Sequence, residues 1–161
     1  MAAQTGRTTY KWIRFIIDDS GGTVRHIPIN SLSVCGVTYD EEDVTAYQDA
    51  VRGMLPSMPD APIEWSGPFD NTAANASPTL SGSHTILSAI CGVLTPLTLD
   101  VQFGIRHTWE AGEPQFGITS SATEGYLVTK YTVDVSSMTY SARAVLYPGS
   151  SLPAWGTAAE T

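Results

Sequence analysis

The chain has 161 residues, with 16 acidic against 8 basic side chains and a formal net charge of −8. That length suits one domain with its own core. The acidic balance excludes a sequence-independent grip on nucleic acid, which needs clustered Lys and Arg to release counterions. Charged residues make up 15% of the chain and hydrophobic ones 42%, which excludes a disordered composition.

Low charge with abundant Ser, Thr and Gly points to a β-protein whose surface is partly covered by other protein; a weakly charged monomer is the competing explanation. No apolar run approaches the ~20 residues of a membrane span. Residues 1–9 are polar and small, without the apolar stretch of a secretory signal, and read as a flexible arm. Cys35 and Cys91 sit in the apolar contexts SLSVCGV and LSAICGVL and are expected to be buried free thiols; a disulfide is disfavoured without a secretory signal.

The elements follow in chain order. Residues 10–17 (YKWIRFII) and 23–30 (TVRHIPIN) alternate as strands around the turn cluster Asp18-Asp19-Ser20-Gly21-Gly22. Residues 31–37 continue as a third strand. Asp40 is a good helix N-cap, and Glu41, Glu42 and Asp43 favour a first turn. Val44, Tyr47, Val51 and Leu55 form one apolar stripe, so residues 41–52 are predicted to be an amphipathic helix lying on the sheet. Pro56, Pro59 and Pro62 are expected to exclude regular structure after it. Residues 63–69 read as a strand anchored by Trp65, followed by a polar loop over 70–78. Residues 79–94 carry a helical stripe, capped by Ser77 or Thr79 and weakened by Gly82 and Gly92. Residues 97–107 alternate as a strand, and 110–117 read as a Gly/Pro loop. Residues 124–135 and 138–147 pair through Ser136-Ser137. A tail over 148–161 is pinned by Trp155. The total is seven or eight strands with one or two helices.

No catalytic constellation emerges. His26, His84 and His107 are far apart, without the short ligand spacing typical of metal sites. Asp100, His107, Glu110 and Glu113 form the best local group, yet no Asp-x-Asp-x-Asp-Gly loop accompanies it. Ser81-Gly82-Ser83-His84 is not a nucleophile elbow. Asp18-Asp19 reads as a hairpin turn rather than a paired carboxylate. The expected reading is no enzyme, no metal and no cofactor. Trp12 and Trp65 fall at strand positions and are expected in the core, whereas Trp109 and Trp155 fall in loops and suit subunit contacts.

In order and spacing, DVTAYQDAVRGM, IEWSGPFDN, SGSHTILSAICG, TLDVQFGIRH and the hairpin GYLVTKYTVDVSS–MTYSARAVLYPG resemble the tail tube (major tail) proteins of siphophage-type tailed bacteriophages, over roughly residues 12–153. The resemblance implies a mainly β (α+β) fold: an antiparallel β-sandwich or barrel over 10–147, with one or two flanking helices and extended terminal arms at 1–9 and 148–161. It implies a virion protein made in the host cytoplasm, whose hexameric rings stack into a tube. DNA passes the lumen without specific binding, and the partners are further copies, the tape measure and the terminator. The lateral contacts are then expected from 124–147 and 97–107. Stacking is expected from the arms and a loop at 55–62 or 107–124. The candidate interface residues are Trp109, Phe116, Tyr131, Val133 and Trp155. A head decoration or tail-terminator protein, or a β-sandwich module stacking sugars on Trp109 or Trp155, remains the alternative.

Overall fold

The computed structural model describes residues 6–7, 12–74, 80–104 and 111–157. Alternation makes the first strands as expected: β1 (Ile13–Asp18) and β2 (Val24–Ile27) form a hairpin, and β3 (Ser31–Val34) follows. Asp19 closes the turn, its carboxylate accepting from the backbone N–H groups of Gly21 and Thr23 and from Arg25 Nε at 2.8 Å. The remaining elements are β4 (Thr38–Asp43), β5 (Met54–Asp60), β6 (Ile63–Pro68), α1 (Ser83–Ile90), β7 (Leu99–Phe103), β8 (Pro114–Ile118), β9 (Tyr126–Asp134), β10 (Thr139–Leu146) and β11 (Ala154–Thr157).

Two antiparallel sheets enclose the core. One has the order β11-β8-β7-β1-β2 and the other β3-β6-β10-β9. Register explains the packing. Ile27, Phe15, Val101, Phe116 and Trp155 stand opposite one another across all five strands of the first sheet. Leu32, Trp65, Ala142 and Tyr131 form the matching row in the second. The rows meet where the Phe15 and Trp65 rings lie 4.5 Å apart. Because side chains alternate with period two, the residues between these rows face outward. The mainly β fold is therefore the one expected.

Helix α1 completes the core through Ile86, Leu87 and Ile90. It is shorter than predicted, and its N-cap is Gly82, with no side-chain cap; Ser77 and Thr79 lie outside the described residues. A Cβ on Gly82 would stand 2.5 Å from Thr72 O, so close backbone approach selects glycine there. The Ser83 hydroxyl donates to Pro68 O at 2.8 Å, and His84 N–H donates to Asp70 O at 2.8 Å. His84 Nδ1 lies 3.0 Å from the Tyr131 hydroxyl, which ties the helix to β9.

Several expectations are corrected. Residues 41–52 are not a helix. Thr38–Asp43 pairs with Met54–Asp60 as a separate two-stranded ribbon whose side chains are almost all exposed. The helical stripe has no surface to bury itself on, and an isolated helix of that length is marginal in water. Local bonds favour the ribbon instead. Asp43 Oδ1 accepts from Thr45 N–H and Oγ1, Arg52 Nε donates to Asp43 Oδ2, and Val44 N–H donates to Gly53 O. Pro56 and Pro59 lie inside β5, tolerated because a ribbon strand pairs on one side only. The expected loop over 110–117 contains β8, and the expected tail contains β11, which pairs with β8. Strand β7 lies inside its sheet between β1 and β8, so it has no free edge for a lateral neighbour. The cysteines are free but half-buried rather than buried; burial pushes the Cys35 thiol up to about 11, which leaves it a poor nucleophile at neutral pH.

A pH-dependent element sits on the outer face of the first sheet. His26 is buried, with Arg14 Nη2 2.8 Å from a ring nitrogen. Burial, reinforced by the Arg14 charge, lowers its pKa to about 4. The unfolded imidazole keeps a value near 6.5 and binds its proton first on acidification. Stability is therefore full above that value and falls as pH drops from about 6.5 towards 4, by roughly 1–2 kcal/mol after solvent screening. Melting temperatures measured across this window should fall on acidification, and His26→Gln should flatten that part of the slope. Asp43 and Asp70, held below the usual carboxylate range by bonds from Thr45 and Thr72, act at lower pH.

Candidate assembly surface

The β4–β5 ribbon is the least self-satisfied part of the molecule. Its strand of seven residues spans about 20 Å at ~3.3 Å per residue. Along it Tyr39, Tyr47, Val51, Met54, Leu55 and Met58 are exposed, Val51 at 79% and Met58 at 73%. Large apolar side chains gathered on one projecting element mark a surface made for another molecule. The ribbon is also acidic, carrying Asp40, Glu41, Glu42, Asp43, Asp49 and Asp60 against Arg52 alone.

Sheet edges are the second candidate. Among the described residues, β9 and β3 end one sheet, and β11 ends the other. β9 is the longest edge strand, nine residues, and its edge is open beyond Val128, since Leu97 bridges Tyr126 and Gly92 N–H donates to Val128 O. An open edge presents unpaired N–H and C=O groups that another strand can complete. The β2 edge is partly covered by a parallel bridge between His26 and Leu80.

The expected interface residues do not form one patch. Trp109 lies outside the described residues. Phe116 is fully buried in the core row of the first sheet, so it faces no neighbour as the fold stands. Tyr131 and Val133 are half-buried on the core-facing side of β9, where Tyr131 touches Tyr140 at 5.9 Å between centroids. Trp155 is 59% exposed at the rim of the first sheet, stacked on Phe116 and Phe103 at 5.0 and 5.6 Å. Period-two register decides these outcomes, and it could have been counted from Trp65 and Phe15. The ribbon was missed because its charges resemble a helix start; the prolines within residues 54–60 were the available contrary signal.

The chemistry-bearing groups stay dispersed. Asp18 Oδ2 accepts from Thr98 N–H and Ser120 Oγ, a buried structural bond set between β1 and the loop before β7. Burial pushes the Asp100 carboxyl up, opposed by a bond from Gln115 and aided by the Asp18 charge. His107 and Glu110 lie outside the described residues. Among the described residues no group of three His, Cys, Asp or Glu side chains could hold a metal ion, and no helix is long and apolar enough to cross a membrane.

No protein-family model matches the chain, and no curated protein matches it in sequence. Solved structures do share its fold. The sheath/tube terminator of an extracellular contractile injection system (PVC, extended state) is 13% identical, with 96% of this chain and 99% of that chain covered at a TM-score of 0.53. The tube-terminating cap of the anti-feeding prophage is 17% identical, with 98% and 95% covered, also at 0.53. A chain of the PVC sheath-tube complex is 11% identical, with 90% and 89% covered, at 0.50. Over nearly its whole length, the chain thus has a fold found in building blocks of contractile injection systems.

Proposed function

We propose that this chain is a structural, non-catalytic subunit of a phage-tail-like tube, assembling as a ring around a lumen at the terminator position. The observation that carries the reading is the β4–β5 ribbon. A monomer gains nothing from holding Val51, Leu55 and Met58 in water, whereas burial against a neighbour returns about 25 cal/mol per Å² of apolar surface. The fold likeness to a sheath/tube terminator and a tube-terminating cap supplies the kind of assembly. The net charge of −8 suits a lumen wall that repels passing phosphate.

The siphophage tube-subunit reading differs in one respect: a tube subunit continues to stack, while a terminator ring stops. Likeness to a chain of a sheath-tube complex keeps it as the second reading. Negative-stain electron microscopy of the purified chain over a concentration series separates them. Discrete rings with a central channel are expected. Long tubes would favour the tube subunit. Small solid particles at every concentration would reject both.

A further inference from the structure

A cavity of about 240 Å³ lies at one end of the sandwich, between the β1–β2 turn, the C-terminal end of α1 and the loop after β8. Its walls differ in kind. Asp18, Ser120 and Ser121 stand on one side, and Ile90, Val93 and Leu97 bring aliphatic surface to the other. No Lys, Arg or His lines it among the described residues.

Asp18 is the unbalanced group. It is 2% exposed. Its Oδ2 accepts from Thr98 N–H at 2.8 Å and from Ser120 Oγ at 2.9 Å, whereas Oδ1 has no hydrogen-bond partner. The adjacent Asp19 is matched by Arg25 Nε at 2.8 Å, but Asp18 forms no ion pair with a described residue. A second carboxyl, Asp100, is near enough for the Asp18 charge to act on it. A buried carboxylate without a cation is costly, and its bare oxygen calls for a donor or a positive charge. Ser120 both bonds to Asp18 and lines the cavity, so it marks the carboxylate's end of the space.

We propose that this cavity binds an alkylammonium group, whose charge and N–H donors serve Asp18 and whose methylenes lie along Ile90, Val93 and Leu97. The aliphatic wall decides against a hard metal ion, which needs oxygen ligands or water all round. A cationic head on an apolar stem matches both walls. The group arrives on a free amine or on a lysine side chain of another molecule, and the chemistry recognised is the same. The inference goes beyond the structural role and does not depend on it.

The test is saturation-transfer NMR of n-butylammonium with the full chain, against its neutral isostere 1-butanol. The methylene signals of n-butylammonium should saturate with a dissociation constant on the order of 1 mM, and 1-butanol should bind at least tenfold more weakly. D18N and S121W should each weaken n-butylammonium about tenfold, the first by removing the charge and the second by filling the mouth at an exposed position. If D18N loses its native melt by circular dichroism, S121W carries the comparison. Sedimentation velocity separates the sources. A lysine from a neighbouring copy makes S121W and added n-butylammonium both lower the assembled fraction, and a free amine leaves assembly unchanged; either result upholds the site. Equal binding of 1-butanol, undiminished binding by S121W, or displacement of n-butylammonium by an equal concentration of calcium chloride but not of sodium chloride overturns it.

Discussion

Excising residues 40–58 and joining Tyr39 to Pro59 through an Asn-Gly turn should abolish ring formation while leaving the domain folded. The two arms pair only with each other in the sheet topology. Their side chains are exposed, so removal exposes little core. Its effect on unfolding free energy should stay within about 0.5–1 kcal/mol, the range of surface changes distant from a core. Thr38 Oγ1 and Asp60 O, 3.2 Å apart, remain to close the stem. The effect on assembly should be total, since the exposed Tyr47, Val51, Leu55 and Met58 leave with the ribbon. Light scattering coupled to size exclusion reads the mass, and thermal circular dichroism reads the fold. Rings that persist after excision would show that sheet edges alone hold the assembly. A collapsed melting transition would show that the ribbon supports the core.

The largest stability effect should come from Trp65→Ala. The indole lies between Leu32 and Ala142 in its row and meets Phe15 across the sandwich, at 1% exposure. Removing it leaves a cavity that rigid neighbours on both sheets cannot fill, which costs about 3–5 kcal/mol. Against a total of roughly 5–15 kcal/mol, that is a melting drop on the order of 10 °C. One feature moderates the cost. Trp65 Nε1 lies close enough to influence Tyr140 but makes no hydrogen bond of good geometry, and losing an unsatisfied buried donor is favourable. Trp65→Phe separates the two contributions. It keeps most of the apolar volume, discards the donor, and should cost less than about 1.5 kcal/mol. A Trp65→Phe variant as unstable as Trp65→Ala would mean that the indole nitrogen, rather than packing, matters at this position.

The elements legible in the sequence were those whose period agrees with their burial. β6, β9 and β10 alternate because one face meets the core, and Trp65 was recognisable as core for that reason, whereas β1 and β2 were legible from their apolar residues although their second halves are buried on both faces. β8 and β11 were not legible. PQFGI and AWGT are too short and too rich in Pro and Gly to show a period, and they form strands only because each supplies the other's partner. The interface candidates divide along the same line. Exposure of Trp155, read as a tail residue and found on the edge strand β11, was foreseeable. The complete burial of Phe116 was not, because it depends on which strand stands next to it.

The sequence by itself determined a mainly β domain with an acidic surface, few charges, and no short-spaced catalytic or metal-ligating set. Tertiary structure alone decided the fate of residues 41–52. Their charges and apolar spacing satisfy a helix locally, but a stripe stabilises a helix only when a surface covers it. Here no such surface is present, and the backbone bonds of Thr38–Asp43 are satisfied by Met54–Asp60 instead. The same choice leaves the apolar side chains outside the core, exposed on a separate ribbon.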